Sequence, residues 1–190
     1  MFNESQNNIA LRKPVYNWYV IYTKANAEKK LCANLLEKKI ECYLPLRKEL
    51  KHWSDRKKWV EEPLFRGYVF VRVSYKEFFD ALNTQGAVNF VSFGGQAQAI
   101  PDVQINNIRK FVEQTEQEVT LTYKRIKKGV KAEVIYGSLK GVQGEVIQIF
   151  GQSRILIRIE TMKCCLYANV SNDEIKILQG PESLKKNKLI

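Results

Sequence analysis

Glu61-Glu62-Pro63-Leu64-Phe65-Arg66-Gly67-Tyr68-Val69-Phe70-Val71-Arg72-Val73 is the stretch that decides the fold. From Tyr68 it is a near-continuous run of β-branched and aromatic residues, the composition of a strand buried on both faces rather than one with a wet side. Pro63 stands just before the run, where its missing N–H costs no ladder bond. Gly67, between Phe65 and Tyr68, reads as a bulge or a close backbone approach. Phe65, Tyr68 and Phe70 leave two readings open, core side chains or a docking surface, because so many rings in so short a run can build either.

Working outward, Trp18 to Tyr22 is a second strand. Asn26 is placed to cap a following helix whose Ala27, Leu31, Cys32, Leu35, Leu36 and Ile40 make one apolar stripe. Glu41 to Leu46 returns to extended structure, with Pro45 marking an edge or a strand end. In residues 47–62 the Ser54-Asp55 turn signal between Trp53 and Trp59 predicts a projecting hairpin. Beyond the central run, Ser74-Tyr75-Lys76-Glu77 has capping-box spacing ahead of a short helix that buries Phe78, Phe79 and Leu82. Val88 to Phe93 is a strand ended by Gly94-Gly95, and Pro101 opens a helix with Ile105, Ile108 and Val112 inward. Strands and helices in this order predict an α+β domain, an α/β sandwich on a small mixed or antiparallel sheet.

Near Glu113 the character changes. Glu113 to Glu118 is polar and acidic and reads as a linker. After Lys127-Lys128-Gly129 come short strands at 130–136, 142–150, 154–160, 163–170 and 175–178, with Ile155, Ile157 and Ile159 on one face. That pattern predicts a small all-β barrel of about 50 residues rather than helices. The expected organisation is a tail at 1–15, a first domain at 16–112, a linker at 113–127, a barrel at 128–178 and a basic tail at 179–190.

The 190 residues carry 31 Lys and Arg against 20 Asp and Glu, a formal charge of +11, which points to a polyanionic partner, nucleic acid before membrane. Apolar residues make up 45% of the chain, enough for a core. No run is long and apolar enough to span a bilayer, and the polar N-terminus lacks the apolar centre of a signal peptide, so a soluble, cytoplasmic protein is expected. The four cysteines, Cys32, Cys42, Cys164 and Cys165, include no C-x-x-C, and His52 is the single histidine, so no metal is expected and reduced thiols are. Gly94-Gly95 lacks the lysine of a P-loop, and no nucleophile motif surrounds His52. The pattern is that of a binding protein without cofactor, not of an enzyme.

The hairpin holds Arg47, Lys48, Lys51, Arg56, Lys57 and Lys58 against Glu49 and Asp55 up to Lys58. It reads either as a nucleic-acid arm with Trp53 and Trp59 as stacking faces, or as a solvated ribbon whose charges block edge pairing.

Two stretches carry a family resemblance. Gly129 to Val146, with Gly137, Lys140, Gly141 and Gly144, resembles the KOW motif of ribosomal proteins and NusG-type transcription factors. Trp18-Tyr19, the Pro63-Leu64-Phe65-Arg66-Gly67-Tyr68-Val69-Phe70-Val71 run, Val88 to Phe93 and Pro101 resemble the N-terminal (NGN) domain of the NusG family. Trp53 to Lys58, set directly before the run, is most similar to the UpxY subgroup, antiterminators of capsular-polysaccharide operons in Bacteroides-like bacteria. The resemblance implies a monomeric factor that binds the β′ clamp helices of RNA polymerase and promotes processive transcription. Tyr22, Phe65, Tyr68 and Phe70 match its polymerase pocket. Lys24, Asn34, Lys38, Thr84 and Gln85 match a side that faces nontemplate DNA, and nascent RNA is the other nucleic-acid candidate. Glu77 to Asp80 departs from the polar run with which a related antiterminator touches the polymerase β subunit. Two alternatives stand beside this reading. One is a general elongation factor whose KOW domain couples polymerase to the ribosome or to Rho; the other is a KOW-containing ribosomal or RNA-binding protein.

Overall fold

The computed structural model describes residues 14–52, 56–113, 119–149 and 151–178. In chain order its elements are β1 (Asn17–Thr23), α1 (Glu28–Glu37), β2 (Glu41–Tyr43), β3 (Leu46–His52), β4 (Lys57–Pro63), β5 (Tyr68–Val73), α2 (Phe78–Leu82), β6 (Ala87–Phe90), β7 (Ser92–Phe93), β8 (Gln96–Ala97), α3 (Asp102–Glu113), β9 (Thr120–Thr122), β10 (Val130–Val134), β11 (Gln143–Ile149), β12 (Gln152–Ile159), β13 (Cys164–Asn169) and β14 (Ile175–Ile177). The contacts divide the chain into two units, residues 1–44 with 65–100 and residues 45–64 with 101–190.

In the first unit β5 lies inside a sheet of order β2-β5-β1-β6, every pairing antiparallel. Val69, Phe70, Val71 and Val73 are all buried while Tyr68 and Arg72 are half-buried, so the middle of this strand is covered on both faces, as its apolar run predicts. One face of the sheet packs Ile21, Val69, Val71 and Val73 with Leu31, Leu35 and Ile40 of the α1 segment and Ala81 of α2. Phe78 stacks on Phe90 at 4.4 Å, and Tyr19 meets Phe78 edge-on at 4.7 Å.

Several local expectations are corrected. Asn26 does not cap α1; it takes φ 57°, a left-handed conformation that asparagine tolerates, and Ala27 holds the cap position. Leu36 and Phe79 point to solvent, the latter 74% exposed, because Leu31 and Leu35 on α1 and Ala81 on α2 already fill the sides facing the sheet. Ser74 and Glu77 do meet: the Glu77 carboxylate accepts from Ser74 N–H at 2.9 Å and from its hydroxyl at 3.0 Å. Cys32 and Cys42 form a disulfide instead of remaining thiols, since the return from α1 into β2 brings their Cα atoms to 6.0 Å, within bridging range.

The second unit is mostly β. Its main sheet has the order β14-β10-β11-β12-β13-β9, antiparallel throughout. β12 supplies Ile155, Ile157 and Ile159 to the core, and Leu156 on its other face is buried as well. β9 arises inside the stretch read as a linker, where Thr120, Leu121 and Thr122 pair with Tyr167, Leu166 and Cys165. α3 also belongs here by contacts: Asn107 Nδ2 donates to Gln143 O at 2.7 Å, Lys110 Nζ donates to Lys140 O at 3.0 Å, and Gln104 Nε2 donates to Arg158 O. Among the described residues β3 and β4 pair only with each other, in the register Leu46↔Pro63 to His52↔Lys57.

Candidate functional site

Tyr22 near the end of β1 and Tyr68 at the start of β5 are register partners, so their side chains emerge on the same face. Their rings meet at 5.5 Å and 62°, and Tyr22 is 45% exposed. The turn before Tyr68 fixes the pair. Gly67 has φ +82°, a region that a side chain disfavours, and a Cβ there would sit 3.3 Å from the Tyr22 ring. Gly67 N–H donates to Glu28 Oε1 at 2.6 Å, and its carbonyl accepts from Thr23 N at 2.8 Å. Glu28 is only 6% exposed, so a buried carboxylate clamps the turn against the first turn of α1. Nothing in the local pattern around Glu28 marks it for this role; its partner is 39 residues away.

Phe65 and Phe70 occupy a different place. Phe65 lies in the turn rather than on the strand, its carbonyl accepting from Tyr68 N at 3.2 Å. That turn, not a bulge within the strand, lets the two phenylalanines face each other, ring centroids 5.5 Å apart at 79°. Both are completely buried. Of the four rings expected in one surface patch, two are at the surface and two are core.

The polar residues expected beside DNA gather where the end of α1 meets the loop after α2. Lys38 Nζ donates to Thr84 Oγ1 at 3.0 Å and to Asp80 O at 3.2 Å, and Asn34 Nδ2 donates to Gln85 O at 3.4 Å. Thr84 is buried, its hydroxyl donating to Asp80 O at 2.8 Å, so it ties the loop down rather than presenting a donor outward. Lys24 and Gln85 are exposed.

On the β3–β4 hairpin, Arg47 pairs with Glu49 at 3.1 Å and Lys51 pairs with Glu62. Lys48, Lys57 and Lys58 are exposed, as is Arg56. Trp59, 64% exposed, is the register partner of exposed Leu50, and Lys48 and Lys57 share their face. Trp53 lies outside the described residues, with Ser54 and Asp55.

In the second unit Gly129 and Gly144 are sites of close strand approach: a Cβ would meet Val146 O at the first and Leu156 O at the second. Gly137, Lys140 and Gly141 form the β10–β11 connection, where Gly141 N donates to Val134 O at 2.7 Å. Among the described residues no group of His, Cys, Asp and Glu could hold a metal ion, and no helix is long and apolar enough to cross a membrane.

Residues 16–109, from just before β1 to the last turns of α3, match the model of the family "Transcription termination factor nusG". Over that span the chain is similar to the NusG family. The chain is 26% identical over 144 residues to the transcription termination/antitermination protein NusG of Streptococcus pyogenes serotype M1, covering 70% of this chain and 80% of that protein. The serotype M18 protein matches to the same extent. Among solved structures, one titled "Domain interaction in Thermotoga maritima NusG" is 20% identical with a TM-score of 0.49, covering 87% of this chain and 98% of the other. An MjSpt4:Spt5 complex is 15% identical with a TM-score of 0.27, covering 86% and 97%.

Proposed function

We propose that this chain is a non-enzymatic antitermination and elongation factor that docks on the clamp helices of RNA polymerase through the Tyr22–Tyr68 edge. The observation that carries the reading is the exposed tyrosine pair of a domain similar to the NusG family, held in place by the Gly67–Glu28 clamp. Tyrosine suits such a contact because its ring supplies apolar area and its hydroxyl a polar tip. Phe65 and Phe70 support the edge from the core. The basic hairpin and Lys24, Lys38 and Gln85 supply nucleic-acid contacts, and the barrel at 128–178, a KOW domain, takes the ribosome or Rho as partner. The chain serves polysaccharide operons in the manner of the UpxY subgroup.

The test is retention of purified core RNA polymerase on the immobilised full chain. Tyr22→Ala with Tyr68→Ala should abolish retention while leaving a cooperative melt. Undiminished retention by the folded double variant would place the docking surface elsewhere. Transcription of a polysaccharide operon against an unrelated template separates a specialised from a general factor.

A further inference from the structure

A cleft of about 870 Å³ opens in the second unit between the segment 123–128 and the β12–β13 connection. Its rim is one-signed: Lys124, Arg125, Lys127 and Lys128 on one side and Lys163 on the other are all exposed, with Glu160 the one carboxylate lining it. The floor explains why the cations stay spread out. Arg158, mostly buried, sends Nε and Nη2 to the two oxygens of Glu145 at 3.0 and 2.9 Å. Its Nη1 donates to Ile126 O at 3.2 Å, and Glu145 Oε2 also accepts from Gly129 N at 2.9 Å. The Arg158–Glu145 pair thus grips the basic segment from beneath at residues 126 and 129, and the exposed cations at 124, 125, 127 and 128 form a rail along it. Cys164 and Cys165 complete the floor. Burial, and secondarily its neighbour Cys165, pushes the Cys164 thiol up to about 12, so that thiol is neutral and adds no negative charge. Lys163 is held on its lip by a left-handed backbone, φ 51°.

We infer that this cleft binds the phosphate backbone of single-stranded nucleic acid. A rail of cations up to about 14 Å long meets phosphates in series rather than one isolated anion. The volume lies in the range that encloses a ligand of nucleotide size, so a base of a flexible strand enters where a stacked duplex does not. Tyr123, at the same rim and exposed, offers a ring on which an entering base can stack. The inference stands on the second unit alone and does not depend on polymerase docking.

The experiment measures binding of the full chain to labelled 12-nucleotide single-stranded RNA, the same sequence as DNA, and the corresponding duplex, across a salt series. K124Q/K127Q/K163Q should weaken single-strand binding and flatten the slope of log affinity against log salt by up to about 2 units, at roughly 0.7 per phosphate. K124R/K127R/K163R should restore both, and Glu160→Gln should tighten binding. Preference for RNA or for DNA identifies the strand and supports the cleft either way. An unchanged slope in the glutamine variant overturns the inference, as does equal loss on duplex. Zero-length cross-links from the RNA should fall on Tyr123 to Lys128 and Lys163; cross-links confined to residues 46–63 also overturn it.

Discussion

Replacing Phe65 and replacing Tyr22 should have opposite consequences, although both belong to one aromatic cluster in the sequence. Phe65 has no exposed surface, so Phe65→Ala opens a cavity and should cost about 3–5 kcal/mol in a denaturant melt. Tyr22→Ala removes a half-exposed ring and one edge contact, a loss of about 1 kcal/mol, while removing polymerase retention. Equal destabilisation by the two would mean that Tyr22 is core. Glu145 gives a pH signature. Burial works to raise its pKa and is outweighed by the Arg158 hydrogen bonds, the Gly129 N–H and the charges of Arg158 and Lys128, leaving the carboxyl below its ordinary value. A carboxylate depressed in the fold contributes stability above its unfolded pKa, about 4.3, and loses it as pH falls toward the lower folded value. Glu145→Gln should therefore lower the melting midpoint at pH 7 and make it less sensitive to acid as the pH falls below the unfolded pKa of about 4.3. Wild-type and variant curves that run parallel down the acid limb would discount the pair.

At the scale of elements, the Cys32–Cys42 bridge ties α1 to β2 across ten residues. Closing a loop of that length removes about 2–3 kcal/mol of unfolded-state entropy, so reduction should lower the urea midpoint correspondingly. Equal midpoints with and without reductant would mean that the bridge adds nothing. On the hairpin, Arg47 and Lys51 already face Glu49 and Glu62 within the ribbon. Arg56, Lys57 and Lys58 are exposed side by side on the ribbon: R56Q/K57Q/K58Q should flatten the salt slope of duplex binding by up to about 3 units, with an unchanged slope assigning the positive charge to other surfaces. What the sequence reveals about elements follows from what each burial pattern encodes. β5 is legible because a strand covered on both faces needs an unbroken apolar run, and α3 because Pro101 and the Ile105–Ile108 spacing mark one helix face. β9 is illegible: Thr120 to Thr122 has no alternation to read, and only pairing with β13 makes it a strand. The disulfide is hidden for a similar reason, since ten residues of sequence do not say where α1 ends and β2 begins. Of the site, Tyr22 and Tyr68 are visible as aromatics but not as the exposed half of four, because Gly67 builds a turn where a straight strand would have alternated Phe65 and Phe70.

For the molecule as a whole, the +11 charge is not spread evenly in function. Part of it is committed within the fold, in Lys38 on Thr84 and Arg158 on Glu145, and part stands exposed on the hairpin and along the 124–128 segment. The grouping of α3 with the C-terminal strands, while the family match runs to residue 109, also lies beyond local sequence, because it rests on side-chain-to-backbone bonds such as Asn107 to Gln143. The hairpin has one more consequence. Among the described residues β3 and β4 pair with no third strand, so both margins of the ribbon carry backbone groups that a second molecule could use. Lysines there act as colloidal gatekeepers, repelling a like ribbon before the backbones can zip together. Neutralising Lys48, Lys57 and Lys58 should therefore bring concentration-dependent, thioflavin-positive assembly at low salt, read by light scattering. A preparation that stays monomeric at millimolar concentration would show that the ribbon's twist alone keeps copies apart.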